Sequence, residues 1–328
     1  MIPDHYTLAG SDVRVPPLGV GTWAWGDRST WGMGGYDASL TRQSIEEAWD
    51  GSIDAGVTLF DTAEVYGGGE SERIIGGLLA ADPARARSVV VATKFMPSPW
   101  KLAVERALLS SLRASLERLG LACVDLYQIH GPISLRSHRA LADALAAAHR
   151  EGLVKAVGVS NYSARETRSI ADSLARSGLR LATNQIEFSL LRRSPETGGL
   201  LATCAELGVL PLAYSPIGQG RLTGKYSAAN PPPGKRNFSN HPMEVVDGVV
   251  AELRRIGEKH GGKMASQVAL NWVMAKGAVP IPGAKNRHQA EENAGALGWS
   301  IDEEDMARLD AAALPGIRSV QSRIWQHG

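Results

Sequence analysis

The stretch FDTAEVYGGGESE, residues 60–72, carries Asp61 out of an apolar run and sets Tyr66 five residues later, ahead of three glycines. Asp and Gly by themselves suit a strand end followed by a turn. Two further apolar runs end in ionisable groups, VVVATK at Lys94 and VDLYQIH at His130. Taken singly, these are a rim charge, a hydrogen-bonded core histidine and a rim aromatic. Taken together, they form a set able to protonate an oxygen. A phenol with a reference pKa of ~10 is a poor acid at neutral pH, and a nearby cation is expected to lower that value by favouring the ionised form. Lys94 can supply the charge, and Asp61 can keep a buried Lys94 protonated and oriented. His130 can steer a carbonyl oxygen or share the phenolic proton. A phenol so placed could protonate a developing alkoxide, which is what hydride reduction of a carbonyl requires.

What must position these groups is an alternation of short β-type runs and longer helical ones. The strand candidates are residues 18–23, 57–63, 89–94, 124–130, 154–160, 182–188, 209–215 and 279–283. Helical stretches lie between them, several opening at Ser or Thr and closing at Gly, as in SHRALADALAAAHREG and SARETRSIADSLARSG. Such alternation implies parallel strands joined by right-handed crossovers. Eight units with no linker between them predict one (β/α)8 TIM barrel domain over residues 1–328, with a doubly wound open sheet as the alternative. In a barrel the C-terminal strand ends share one mouth, which would gather Trp23, Asp61, Lys94, His130, Ser160, Gln185, Tyr214 and Gly283.

Two segments depart from the rhythm. Residues 215–242 form a Gly/Pro-rich loop after the seventh strand, long enough to be a lid, a binding loop or a disordered insert. Residues 243–262 and 300–314 add helices outside the eightfold count, the second expected to open at a Ser300 cap.

Composition narrows the partners. With 35 Lys+Arg against 34 Asp+Glu, no electrostatic case exists for nucleic acid or an anionic membrane surface. Cys123 and Cys204 stand far apart, which suits buried thiols in a reducing compartment, and the start has neither a basic nor an apolar leader region. A cytoplasmic protein acting on a small molecule is expected. GVGTWA at 19–24 imitates a dinucleotide glycine fingerprint, but no helix is expected after it; GQGRLTGKY misses the P-loop spacing. No metal-ligand spacing is evident.

The motifs GVTLFDTAEVYGGGESERIIG, VATK, DLYQIHGP, VKAVGVSNYS, NQIEFSLL, YSPIGQGRLTGKY and IPGAKNRHQAEEN occur in one order along nearly the whole chain. Through them the sequence resembles the aldo-keto reductases, closest to the branch of bacterial and plant reductases related to potassium-channel β-subunits. The resemblance implies NADPH-dependent, reversible reduction of an aldehyde or ketone, with Asp61, Tyr66, Lys94 and His130 as the catalytic tetrad and Tyr66 the general acid. It implies that Ser160, Asn161 and Gln185 hold the nicotinamide carboxamide, that Tyr214 stacks on the ring, and that Thr22 and Trp23 also bind the cofactor. Ser215, Ile217, Gly218 and Lys225 would follow the pyrophosphate. Lys285 and Arg287 would meet the 2′-phosphate beside Gly283, with Gln289, Glu292 and Asn293 on the adenosine. Two cations so close suit a phosphate, whence NADPH rather than NADH.

Members of the family commonly carry a bulky aromatic after the catalytic histidine, where this chain has Gly131. A wider pocket wall is expected there, with Trp23, Trp25 and Trp31 as residues able to refill it, and a substrate with apolar, aromatic bulk. Two other functions compete with carbonyl reduction. A non-catalytic nucleotide-sensing subunit would lack the histidine, and a Schiff-base lyase using Lys94 would need an amine without a carboxylate partner.

Overall fold

The computed structural model describes residues 2–26, 40–233, 239, 241–317 and 324–328. Its centre is eight strands: β3 (Gly19–Gly21), β4 (Leu59–Asp61), β5 (Val90–Phe95), β6 (Val124–Ile129), β7 (Val154–Ser160), β8 (Leu181–Glu187), β9 (Leu210–Tyr214) and β10 (Val279–Pro280). They pair in chain order, each parallel to the next. The ring is drawn together where the Gly21 N–H donates to the Pro282 carbonyl at 3.0 Å. Glycine is required at that seam, because a Cβ on Gly21 would lie 2.8 Å from the Ile281 carbonyl oxygen. The architecture is the (β/α)8 TIM barrel, with helices between consecutive strands burying their apolar stripes against its outside.

Period-2 alternation sorts the barrel interior into layers. Leu59, Ala92, Leu126, Ala156, Leu212 and Val279 form an apolar layer. Two residues further along the same strands stand Asp61, Lys94, Gln128 and Gly158. Polar chemistry therefore lies above an apolar floor.

A hairpin of β1 (Tyr6–Thr7) and β2 (Arg14–Val15) sends Leu8, Val13 and Val15 into that floor. No strand was expected before residue 18, since two-residue strands are too short to show alternation. A one-turn helix, Trp23–Gly26, does follow β3, contrary to expectation. It is too short to be the long helix of a dinucleotide fold, and the barrel itself excludes the open sheet.

Helix starts follow the cap chemistry: Thr41, Ser137 and Ser163 accept from backbone N–H groups of their first turns. The added helix Glu303–Ala312 is capped by Asp302 rather than Ser300, because Asp302 accepts from the Asp305 N–H. The other added helix is Met243–Lys259. The loop after β9 begins with a tight helical segment, Gly218–Thr223, pinned by the buried Arg221, which donates to the Gly218 and Ser239 carbonyls. Among the described residues, no helix is long and apolar enough to cross a membrane.

Candidate active site

Asp61, Lys94 and His130 stand at the C-terminal ends of β4, β5 and β6, and Tyr66 reaches over them from the loop after β4. The glycines behind Tyr66 explain how. Gly67 has a left-handed φ of 60° and lies so close to the Trp23–Gly26 turn that a Cβ would come within 1.9 Å of the Gly26 carbonyl oxygen. The loop packs by its backbone, and the helix Glu70–Ala81 starts directly after it. Ser71 on that helix locks the loop to the barrel through the Thr22 and Thr62 hydroxyls, each at 2.8 Å. Glu72, fully buried, accepts from Thr93 at 2.5 Å and from Arg118 at 2.6 Å.

Lys94 is 0% exposed and donates three times: to Asp61 Oδ1 at 2.5 Å, to the Thr62 carbonyl at 2.8 Å and to the Tyr66 hydroxyl at 3.3 Å. Asp61 also accepts from Gln185 at 2.8 Å and Gln128 at 3.4 Å. Burial pulls the lysine toward neutrality, but the Asp61 carboxylate and the Tyr66 hydroxyl outweigh it and raise its pKa, so it stays an ammonium. Burial likewise pushes the Asp61 carboxyl above its ordinary value, with Lys94 the chief opposing influence.

The phenol departs from expectation. Burial dominates, and together with the Asp61 charge it raises the Tyr66 pKa despite the lysine beside it. The acid is therefore held protonated, ready to donate, and the ammonium acts on the phenolate that donation leaves behind. His130 lies edge-on to Tyr66 with ring centroids 5.6 Å apart. Burial first, and Lys94 second, drive its pKa well below the ordinary histidine value. Its Nδ1 is buried with no hydrogen-bond partner among the described residues. A neutral imidazole at this position can offer an N–H to a substrate oxygen.

Beside the tetrad stand two amides, Asn161 directly after β7 and Gln185 two residues before the end of β8. The Asn161 N–H and the Ser160 hydroxyl both donate to the Gln185 carbonyl, at 2.8 and 2.9 Å. Asn161 takes a left-handed φ of 64°, which turns its side chain back over the mouth to meet Ser160 at 3.0 Å and the Tyr214 hydroxyl at 2.8 Å. Gln185 spends its amide nitrogen on Asp61, which leaves Oε1 as an acceptor. Hydroxyl, amide N–H and amide oxygen thus sit side by side, a mix of donors and an acceptor that a carboxamide complements.

Farther out, Ser215 and Gly218 adopt left-handed backbone, at φ 51° and 57°. Lys225 is exposed on the same loop. Around β10, Gly283 leaves space, since a Cβ there meets nothing nearer than 3.7 Å. Asn293 donates to the Gly283 carbonyl at 3.2 Å, and Gln289 accepts from the Lys285 N–H at 3.0 Å. Glu292 accepts from Ser266 at 2.5 Å. These side chains shape the loop around Lys285. Arg287 is tied to Asp54 at 3.1 Å and Glu291 at 3.3 Å, so an anion there would compete with two carboxylates.

Two residues differ from their expected places. The Thr22 side chain is fully buried and donates to the Asp61 carbonyl at 2.9 Å, so it braces β4 instead of facing a ligand. Trp25 is 2% exposed, donates to the Ala284 carbonyl and packs on Phe60; it belongs to the core and not to a substrate pocket. Trp31 lies outside the described residues. Trp23 is half-buried at the end of β3.

The space beside Gly131 is filled from elsewhere. Trp325 packs against it so closely that a Cβ on Gly131 would come 2.8 Å from the indole, and the same ring meets His130 edge-on at 5.4 Å. The wall is not wider; its aromatic comes from the far end of the chain. Gln128 also went unrecognised, although its place two residues before His130 on an inward-facing strand marks it. His260, Asp302 and Asp305 cluster away from the mouth, where Lys259 and Arg255 neutralise the carboxylates.

Comparison with known proteins agrees with this geometry. Residues 17–314 match the model of the Aldo/keto reductase family. The chloroplastic pyridoxal reductase of Arabidopsis thaliana is 37% identical over 96% of this chain and 87% of its own length. The L-glyceraldehyde 3-phosphate reductase of Escherichia coli K12 is 30% identical over 98% and 95%. A glycerol dehydrogenase from Gluconobacter oxydans superposes with a TM-score of 0.80 at 28% identity, covering 98% of this chain and 99% of that one. A carboxylate-bound lysine under a protonated phenol, at the mouth of a barrel so matched from end to end, makes this chain a member of the aldo/keto reductase family of oxidoreductases.

Proposed function

We propose that the protein is an NADPH-dependent reductase of aldehydes or ketones, with Tyr66 as the proton donor. The observation that carries this reading is the buried chain from Asp61 through Lys94 to the Tyr66 hydroxyl, at 2.5 and 3.3 Å, beside a neutral His130. When bound, the reduced nicotinamide supplies the hydride. Ser160, Asn161 and Gln185 are the residues to hold its carboxamide, and Tyr214 the ring to lie along it. Ser215, Ile217, Gly218 and Lys225 suit the pyrophosphate, and Lys285 the 2′-phosphate. Tyr66 and His130 direct their O–H and N–H toward the substrate oxygen, and Tyr66 delivers its proton as negative charge develops there. Lys94 then stabilises the phenolate. Run backward, the same groups serve alcohol oxidation. Because Lys94 is fully engaged with Asp61, it is no free amine for a Schiff base.

Trp325 and the exposed Trp100, Leu102 and Leu135, on loops following β5 and β6, support an apolar or aromatic substrate. Similarity to a pyridoxal reductase puts pyridine carbaldehydes first on the panel. The test is NADPH consumption over pyridoxal, benzaldehydes, aliphatic aldehydes and ketones, by wild type and by Tyr66→Phe. No turnover of any carbonyl by wild type would end this reading.

A further inference from the structure

Tyr214 and Asn161 are reached from a part of the chain distant in sequence. Gln326, next to Trp325, is buried and uses both N–H bonds of its amide: one to Glu187 Oε2 at 2.6 Å, the other to the Tyr214 hydroxyl at 3.0 Å. Tyr214 in turn donates to Asn161 Oδ1 at 2.8 Å. The His327 N–H closes the loop by donating to the Asn161 carbonyl at 3.1 Å.

This chain of hydrogen bonds has a fixed direction. Glu187, buried at the end of β8, is the hub: Ser239 donates to its other oxygen at 2.6 Å, and the Arg192 guanidinium lies 3.8 Å away. Burial raises the Glu187 pKa, while Arg192 and the Ser239 and Gln326 donors oppose that rise and favour the carboxylate, which only accepts; Gln326 accordingly turns its NH2 toward it. The second N–H then occupies the Tyr214 oxygen, and a phenol that accepts there sends its own proton onward. Asn161 meets that proton with Oδ1. Its Nδ2 is thereby aimed at Ser160 and the His130 carbonyl, at 3.0 and 3.4 Å. An amide is nearly symmetric in shape, and without such a relay its two ends could exchange.

We propose that Gln326 is a positioning residue: by setting the direction of the Glu187–Gln326–Tyr214–Asn161 chain, it fixes which end of Asn161 meets a nicotinamide carboxamide. The C-terminal segment and the nicotinamide end of the dinucleotide are thereby coupled. This rests on the cofactor reading above, and the two can fail separately.

The test is titration of NADPH and of adenosine 2′,5′-bisphosphate, which lacks the nicotinamide, by calorimetry. Gln326→Leu should weaken NADPH about 5- to 30-fold, the scale of a buried hydrogen bond lost, and leave the bisphosphate unchanged. The decisive variant exchanges the partners, Glu187→Gln with Gln326→Glu. The anchor between the two positions is restored with little change of volume, but position 326 can no longer donate to Tyr214, so NADPH should stay weak. Tyr214→Phe should lose about as much as Gln326→Leu, and the pair of them no more than either alone. Recovery of NADPH affinity in the exchanged variant would reduce Gln326 to an anchor and overturn the relay. So would equal losses for both ligands, or additive losses in the pair. Wild type that binds neither ligand would instead overturn the cofactor reading itself.

Discussion

Replacing Lys94 with Met tests the site most severely, because rate and stability should respond through different partners. The rate effect runs through Tyr66. After the phenol gives up its proton, its oxygen is negative 3.3 Å from the ammonium. At an effective dielectric of about 20, that pair is worth roughly 5 kcal/mol, and with only part of the charge developed in the transition state kcat should fall on the order of 10²–10⁴. The stability effect runs through Asp61, which would keep Gln185 and Gln128 but lose the lysine bound to it. Removing one member of a buried ion pair costs about 3–5 kcal/mol. Burial already raises the Asp61 pKa with Lys94 opposing it, so in the variant it should rise further above the unfolded value of ~3.9. The folded variant then binds the proton more tightly than the unfolded chain. Its stability is accordingly greatest below pH ~4, falls as pH rises through the folded pKa, and levels off above it. Adding Asp61→Asn should recover much of the melting temperature and its pH dependence vanish, while turnover stays low. The assays are thermal melts across pH and steady-state NADPH oxidation. A folded Lys94→Met protein within tenfold of the wild-type kcat at neutral pH would refute the role given to the ion pair.

The remaining expectations are shorter. Tyr66→Phe should lower kcat on the order of 10²–10⁴ with NADPH affinity nearly unchanged, as loss of a general acid does; calorimetry and turnover on the same preparation check both halves. Because burial raises the Tyr66 pKa and drives that of His130 well down, reduction should be flat between pH 6 and 9 and decline only above ~10, where an unperturbed phenol ionises. A kcat limb near pH 7 would assign the acid to another group. Trp325→Ala should open the wall beside Gly131 and admit bulkier ketones, whereas Gly131→Ala should displace the indole and show as a change in tryptophan fluorescence. Lys285→Ala should raise the NADPH dissociation constant roughly 10- to 100-fold, one or two charge-assisted contacts, and leave NADH within a few-fold. Equal losses for both cofactors would remove the 2′-phosphate from Lys285.

How far the sequence discloses this site depends on which interactions are local. Asp61, Lys94 and His130 were legible because each ends an apolar run, and parallel strands in a closed ring leave such ends no other place than one mouth. Barrel closure, the eight strands and most helix caps follow from the same short-range rules, and the departures occur where those rules weaken. Asp302 displaced Ser300 as a cap by two residues, a shift that composition hardly marks. Thr22 sits at a strand end, yet its hydroxyl is consumed by Asp61 from the next strand, a contact the order of residues does not display. The direction of the Tyr66 shift escapes the sequence for a related reason. A lysine nearby is visible in the chain, but the completeness of burial around the phenol is a property of the packed molecule, and burial proved the larger influence. Least legible of all were Trp325 and Gln326. WQHG has no periodicity and no motif, and it becomes part of the site only because Gly131 leaves room for an indole and a buried Glu187 demands a donor. The first requirement arises just after β6 and the second on β8, and both are met from the other end of the chain. A glycine where an aromatic is customary is thus better taken as a request for a distant side chain than as an enlarged pocket.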